Sequence, residues 1–238
     1  ADGIGISRED FYTRLPSLQT KVTTAAPSIG NFLTPYQTLF SQGCDHIISI
    51  HAASQLTTIL NSARQAAQEF GDKVTIIDSG SLSMGLGFQV LSAVEKIESG
   101  LQSAIEAVES TKQKLKVIAA LDTMEYLKRS GRVPAVVANL GGMLSIKPMV
   151  EIKNGEVKPV GVARTTKQND ERLLNLLLEV REMERLAILH TNAEARSKKL
   201  LNDVMKKISI PQDVLFVNVT AVIGTHLGPN AIGFAAVK

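Results

Sequence analysis

Apolar residues in this chain fall in short, nearly unbroken runs: "HIISIH", "KVTIID", "KVIAAL", "RLAILHT", "DVLFVNVT" and "AIGFAAVK". Runs of this length, apolar on both alternating faces, predict buried β-strands. The segments between them repeat at the helical period instead. "ISREDFYTRL" opens on Ser7, an N-cap residue, with acids in its first turn, and predicts a helix. "SIGNFLTPYQTLFSQG" predicts a second, entered at Pro27-Ser28, stopped at Gly43 and kinked or shortened by Pro35. "LTTILNSARQAAQEFG" and "LQSAIEAVESTKQKL" predict two more. In "SMGLGFQVLSAVEKIESG", Leu86, Val90, Val94 and Ile97 share one helix face. Strands alternating with helices imply a parallel sheet covered on both sides.

The pattern changes near residue 131. "SGRVPAVVANLGGML" is punctuated by Gly and Pro, and two β-like runs then flank Asn154-Gly155, a strong hairpin signal. A long helix over roughly 168–184 follows, then strand, helix and two further strands. The expected fold class is α/β in two domains. An N-terminal parallel-sheet α/β domain spans 1–140, and a C-terminal α+β domain with a mixed or antiparallel sheet spans 141–238.

Composition narrows the function classes. Of 238 residues, 44% are hydrophobic and 21% charged, as in ordinary globular proteins, and the net charge is only +3. Three Tyr, seven Phe and no Trp, none interleaved with basic clusters, argue against nucleic-acid binding. One cysteine, Cys44, excludes an internal disulfide and fits a reducing, cytoplasmic compartment. The four histidines form no metal-ligand spacing. "GLGFQV" has Val90 where a dinucleotide loop needs its last Gly, and there is no Walker lysine and no G-x-S-x-G elbow.

Four polar loops remain as candidate sites, each next to a strand or a helix start. They are Thr23-Thr24 with Pro27-Ser28, Ser54 with Thr57-Thr58, Asp78-Ser79 with Ser81 and Ser83, and Gly224-Thr225-His226 with Gly228. Ligands gather at the carboxyl ends of strands, where helix N-termini favour an anion. Each feature also has a structural reading. Ser28, Ser54 and Ser83 are N-cap residue types, Asp78 is a strand-end acceptor, His226 a loop histidine, and Arg129 and Arg132 a solvated helix end. Hydroxyls without a neighbouring base suit holding an oxygenated head group better than activating a nucleophile. The enzymatic alternative is a hydrolase or transferase using Ser54 with His226 or Asp78.

The series "IISIHAASQLTTILNSARQAA", "IDSGSLSMGLG", "YLKRSGR", "LSIKP" and "GTHLGPNAIG", in that order along the whole chain, resembles the DegV family of bacterial fatty-acid-binding proteins. The resemblance implies a long acyl chain buried between two α/β domains, with no cofactor besides that lipid. It assigns the carboxylate to Thr24, Ser54 and His226, with Ser28, Asp78, Ser79, Gly85, Thr225 and Gly228 on supporting loops. It implies a non-catalytic carrier that hands the acid to a separate fatty acid kinase for acyl-phosphate formation and phospholipid synthesis. Arg129 and Arg132 would face that kinase, and transient membrane contact is compatible with such a role. Tunnel walls are expected from the helix after Ser83 and from segment 140–149. Two loops depart from the family pattern: Ala25 and Ala26 stand where Ser and Gln are usual, and Ala53, Thr57, Thr58 and Ile59 replace Ser, Ser, Gly and Thr. Family chains also begin earlier, with a strand and an Asp-Ser loop, so the first sheet is expected to lack its first strand.

Overall fold

The computed structural model describes residues 4–20, 22–140, 142 and 145–238. Gly141, Met143 and Leu144, part of the expected tunnel wall, lie outside the described residues. The chain divides into two compact units, each drawing on separated stretches. One comprises Ala1–Thr24, Lys116–Ile152 and Val157–Lys238; the other comprises Ala25–Leu115 and Lys153–Glu156. The expected single division at 140/141 falls inside the first unit.

The second unit is built on two parallel strands, β1 (Ile47–His51) and β2 (Val74–Asp78), in register from Ile47 opposite Val74 to His51 opposite Asp78. Alternation sends Ile48 and Ile50 to one face, where they pack with Ile77, Ala93, Ala104 and Val108. Ile77 belongs to β2, and the other three come from α4 (Met84–Lys96) and α5 (Leu101–Lys114). The other face carries Ile47, covered by α2 (Gly30–Ser41) and α3 (Ile59–Ala67) through Tyr36, Ala66 and Ala67. Each buried Ile or Leu contributes about 1.5–3 kcal/mol here. Pro35 lies within α2, which runs through it as one helix rather than ending there.

Of the three N-caps expected in this unit, two fail and the third holds in position only. Ser54 does not cap α3, which begins five residues later behind Thr58. Ile29, not Ser28, is the N-cap of α2, while the Ser28 hydroxyl and N–H both donate to Asn31 Oδ1. Ser83 does stand at the N-cap of α4, yet at φ +52° its hydroxyl caps nothing. The apolar stripe of α4 points outward: Val94 is 63% and Ile97 46% exposed, while Gly85, Phe88, Gln89, Ser92 and Ala93 are buried.

The first unit holds a six-stranded sheet, order β5-β4-β3-β8-β6-β7. Its strands are β3 (Leu115–Ala120), β4 (Lys147–Lys153), β5 (Glu156–Ala163), β6 (Arg185–His190), β7 (Leu215–Asn218) and β8 (Ile232–Val237). β3 was expected beside β1 and β2 but pairs antiparallel with β4, and an apolar run alone cannot distinguish the two sheets. The β4–β5 hairpin turns at Asn154 (φ +53°) and Gly155 (φ +82°), the positive-φ pair its sequence calls for. α8 (Thr166–Leu178) and α9 (Glu194–Met205) cover the sheet with Leu173, Leu177, Leu200 and Val204. α8 ends earlier than predicted, and Glu182 then takes a left-handed conformation (φ +56°) before β6. Three short helices complete this unit: α6 (Glu125–Ser130), whose last turn carries Arg129 as the helix-end reading allowed, and α7 (Pro134–Leu140) and α10 (Ala221–Leu227), which were not foreseen. At the start of the chain, Ser7 caps α1 (Arg8–Arg14) as expected, accepting from Asp10 N–H. No helix among the described residues is long and apolar enough to cross a membrane.

Burial depresses two imidazoles below their ordinary value of 6.5, His51 on β1 and His190 on β6, with Glu194 opposing the effect at His190. His190 Nδ1 also accepts the Ala193 N–H, which requires that nitrogen to be unprotonated. The unfolded chain therefore takes up protons at these sites before the folded chain does. The thermal midpoint should hold steady above pH 7 and fall as pH drops below about 6.5. The His51→Gln, His190→Gln double variant should show a shallower slope in that window. An unchanged slope would contradict the assignment.

Candidate functional site

The histidine end of the site is assembled by two tyrosines. Tyr12 of α1 is 1% exposed, and its hydroxyl donates to Val219 O at 2.8 Å, with Thr220 O at 3.3 Å. Arg8 adds a bond to Asn218 O at 2.6 Å. These bonds lay α1 against the strand end and turn leading into α10. A Cβ at Gly224 would be driven into the Tyr12 ring, and one at Gly228 into the Tyr126 ring. Gly228 also needs its positive φ of +79° to end α10. The two glycines flanking His226 are therefore seats for two aromatic rings. His226 belongs to the last turn of α10, so the expected loop is helical.

Held this way, His226 Nε2 lies 3.0 Å from Thr24 Oγ1, across 202 residues of sequence. The adjoining pocket has an apolar side, Leu15, Leu18 and Val22, and a polar side of Thr20, Thr23, Tyr126, Ser130, Thr225 and His226, with Arg129 and Arg132. Thr225 is already engaged, donating to Ala221 O at 2.9 Å. Arg129 pairs with Glu125, and Arg132 bonds back to Ser130 O at 3.0 Å. Both arginines thus share the pocket of His226 instead of standing apart from it.

Ser54 belongs to the second unit, where it follows β1 beside Asp78. Asp78 Oδ2 accepts the Ser54 N–H at 3.2 Å and Oδ1 the Gly80 N–H at 2.9 Å. Burial would raise this carboxyl, but the Ser54 hydroxyl, the two N–H groups and the Lys112 charge together hold it below the usual carboxylate value. A carboxylate so stabilised is a weak general base, which counts against Ser54–Asp78 catalysis. Ser79 is consumed by its own turn, donating to Ser81 O and accepting the Ser81 N–H, both at 3.1 Å. Gly85 lies buried in α4, where its carbonyl accepts from Gln89. Thus Thr24 and His226 meet in the first unit, and Ser54, Asp78 and Ser79 cluster in the second. Ser28 belongs to the second unit and is occupied with Asn31.

One chain of polar groups escaped the sequence reading. Ser49 Oγ lies 2.7 Å from both Tyr36 Oη and His51 Nε2, under the edge-on ring of Phe32. The signal was Ser49 and His51 two apart on an otherwise apolar strand, hence on one face. No grouping of three His, Cys, Asp or Glu side chains able to hold a metal occurs among the described residues.

A family described as "Uncharacterised protein, DegV family" matches residues 1–238. The chain belongs to the DegV family. Among solved structures, a DegV family protein from Thermus thermophilus known for fatty acid binding is 30% identical, with a TM-score of 0.91 over 100% of this chain and 86% of that one. DegV from Bacillus subtilis, a fatty acid binding protein, is 29% identical at a TM-score of 0.84, again over 100% and 86%. A DegV domain-containing protein of Deinococcus radiodurans is 29% identical over 242 residues, 98% of this chain and 84% of its own length. The small parallel sheet and larger mixed sheet are the DegV fold.

Seating of Tyr12 on Gly224 makes the placement of His226 sensitive to one methyl group. Gly224→Ala should destabilise the chain by about 1–3 kcal/mol through overpacking. Tyr12→Phe, which keeps the ring and loses the hydroxyl, should cost about 1 kcal/mol. Thermal denaturation of both variants checks this. A wild-type midpoint for Gly224→Ala would mean that the ring gives way freely.

Proposed function

We propose that this DegV protein binds a long-chain fatty acid and presents its carboxylate, without catalysis of its own, to a separate kinase. The kinase forms the bond from the γ-phosphorus of ATP to a carboxylate oxygen and releases ADP, leaving an acyl phosphate. The reading rests foremost on Thr24 Oγ1 and His226 Nε2, 3.0 Å apart at a pocket with an apolar side and two arginines. Solved relatives that bind fatty acids supply the lipid class. Thr24, His226 and Ser54 are the head-group donors in this account. Arg129 and Arg132 supply the positive field that a carboxylate, and still more its phosphorylated product, requires.

Magnitudes separate the roles of tail and head. Burying a methylene contributes about 0.8 kcal/mol, so a tail of roughly 16 carbons supplies on the order of 10 kcal/mol before association costs. A hydrogen bond to a charged group nets about 1.5–3 kcal/mol. The tail therefore sets affinity and the polar residues set orientation. Ser54→Ala should lower kinase-dependent formation of acyl phosphate far more than it lowers retention of the acid. Measuring both on one preparation tests this, and equal losses would contradict the division.

A further inference from the structure

Two loops of the second unit, following β1 and β2, are joined through one carboxylate. Asp78 accepts the N–H groups of Ser54 and Gly80 at 3.2 and 2.9 Å. Around this centre Ala53 N–H donates to Ser81 O at 2.8 Å, Ser79 N–H to His51 O at 3.0 Å, and Lys112 Nζ to Asp78 O at 3.0 Å. Ser54 itself is exposed and stands five residues ahead of its helix, so no helical bond fixes it. Its own backbone N–H is held by Asp78, within a turn closed by Leu56 N–H on Ala53 O. The Ser54 hydroxyl has a single proton, which it can donate to an incoming anion.

We propose that Asp78 is a positioning residue for the head group. It holds the Ser54 loop through the Ser54 backbone N–H and its own loop through the Gly80 N–H, and so places the Ser54 hydroxyl to meet a ligand carboxylate. This rests on the carrier reading above and assigns the preference for an acid over a neutral lipid to a residue that does not touch the lipid. Ordering the donor beforehand spares the complex the entropy of arranging it.

The test compares affinity for a C16 fatty acid with affinity for the C16 alcohol, in the wild type, Asp78→Ala, Asp78→Asn, Ser54→Ala and the Asp78→Ala, Ser54→Ala double variant. Tail burial is common to both probes, so their affinity ratio isolates the head group. The ratio should fall on the order of tenfold in Ser54→Ala and equally in Asp78→Ala, with no further fall in the double variant. Alcohol affinity should fall less than acid affinity in each variant, and circular dichroism with the thermal midpoint certifies the fold. Asp78→Asn retains one acceptor oxygen and should lie between, and it decides the matter if Asp78→Ala does not fold. A wild-type ratio in the folded Asp78 variants, or losses that multiply in the double variant, overturns the proposal alone. A wild type that shows no preference for the acid overturns the carrier reading and the proposal with it.

Discussion

The docking of α1 on α10 is the contact on which the rest of the candidate site depends. Thr24 and His226 lie near opposite ends of the chain and come within 3.0 Å because Tyr12 and Arg8 bond to the backbone of residues 218–220. That contact needs room, which Gly224 supplies by having no side chain. Gly228 does the same for Tyr126 and also ends the helix with a positive φ. A short helix has little stability of its own, so tertiary packing must hold the histidine in place.

The polar groups around this centre act by placement more than by reactivity. Hydroxyls and backbone N–H groups donate without ionising, and the two arginines at the pocket are charged at any physiological pH. In the second unit Asp78 is held ionised below the normal range, suited to anchoring neighbours rather than to taking protons. On the proposed reading, such an arrangement serves to receive a carboxylate. The part-buried Tyr36–Ser49–His51 chain pairs its members with one another, Ser49 lying 2.7 Å from each of the other two.

The strands were legible because each is a compact apolar run, and the hairpin because Asn154-Gly155 allows few other conformations. Ser7 was legible as a cap because its acidic first turn is a local signal. What failed depended on distant partners. The apolar run of β3 fits either sheet, and only its pairing with β4 puts it in the larger one. α10 is seven residues of mixed character around two glycines, and those glycines read as loop until the tyrosines that need them are known. Ser54 resembled a cap from its place between strand and helix, but its backbone is claimed by an aspartate 24 residues on. The outward face of α4 reverses the usual amphipathic rule, with Gln89 buried and Val94 exposed, and sequence periodicity carries no sign of that inversion.

Native mass spectrometry of the purified chain, followed by organic extraction, tests the central claim most directly. The account predicts one long-chain fatty acid per chain, depleted when Thr24→Ala and Ser54→Ala are combined. A chain that carries no lipid and takes up none from a fatty acid solution would contradict it.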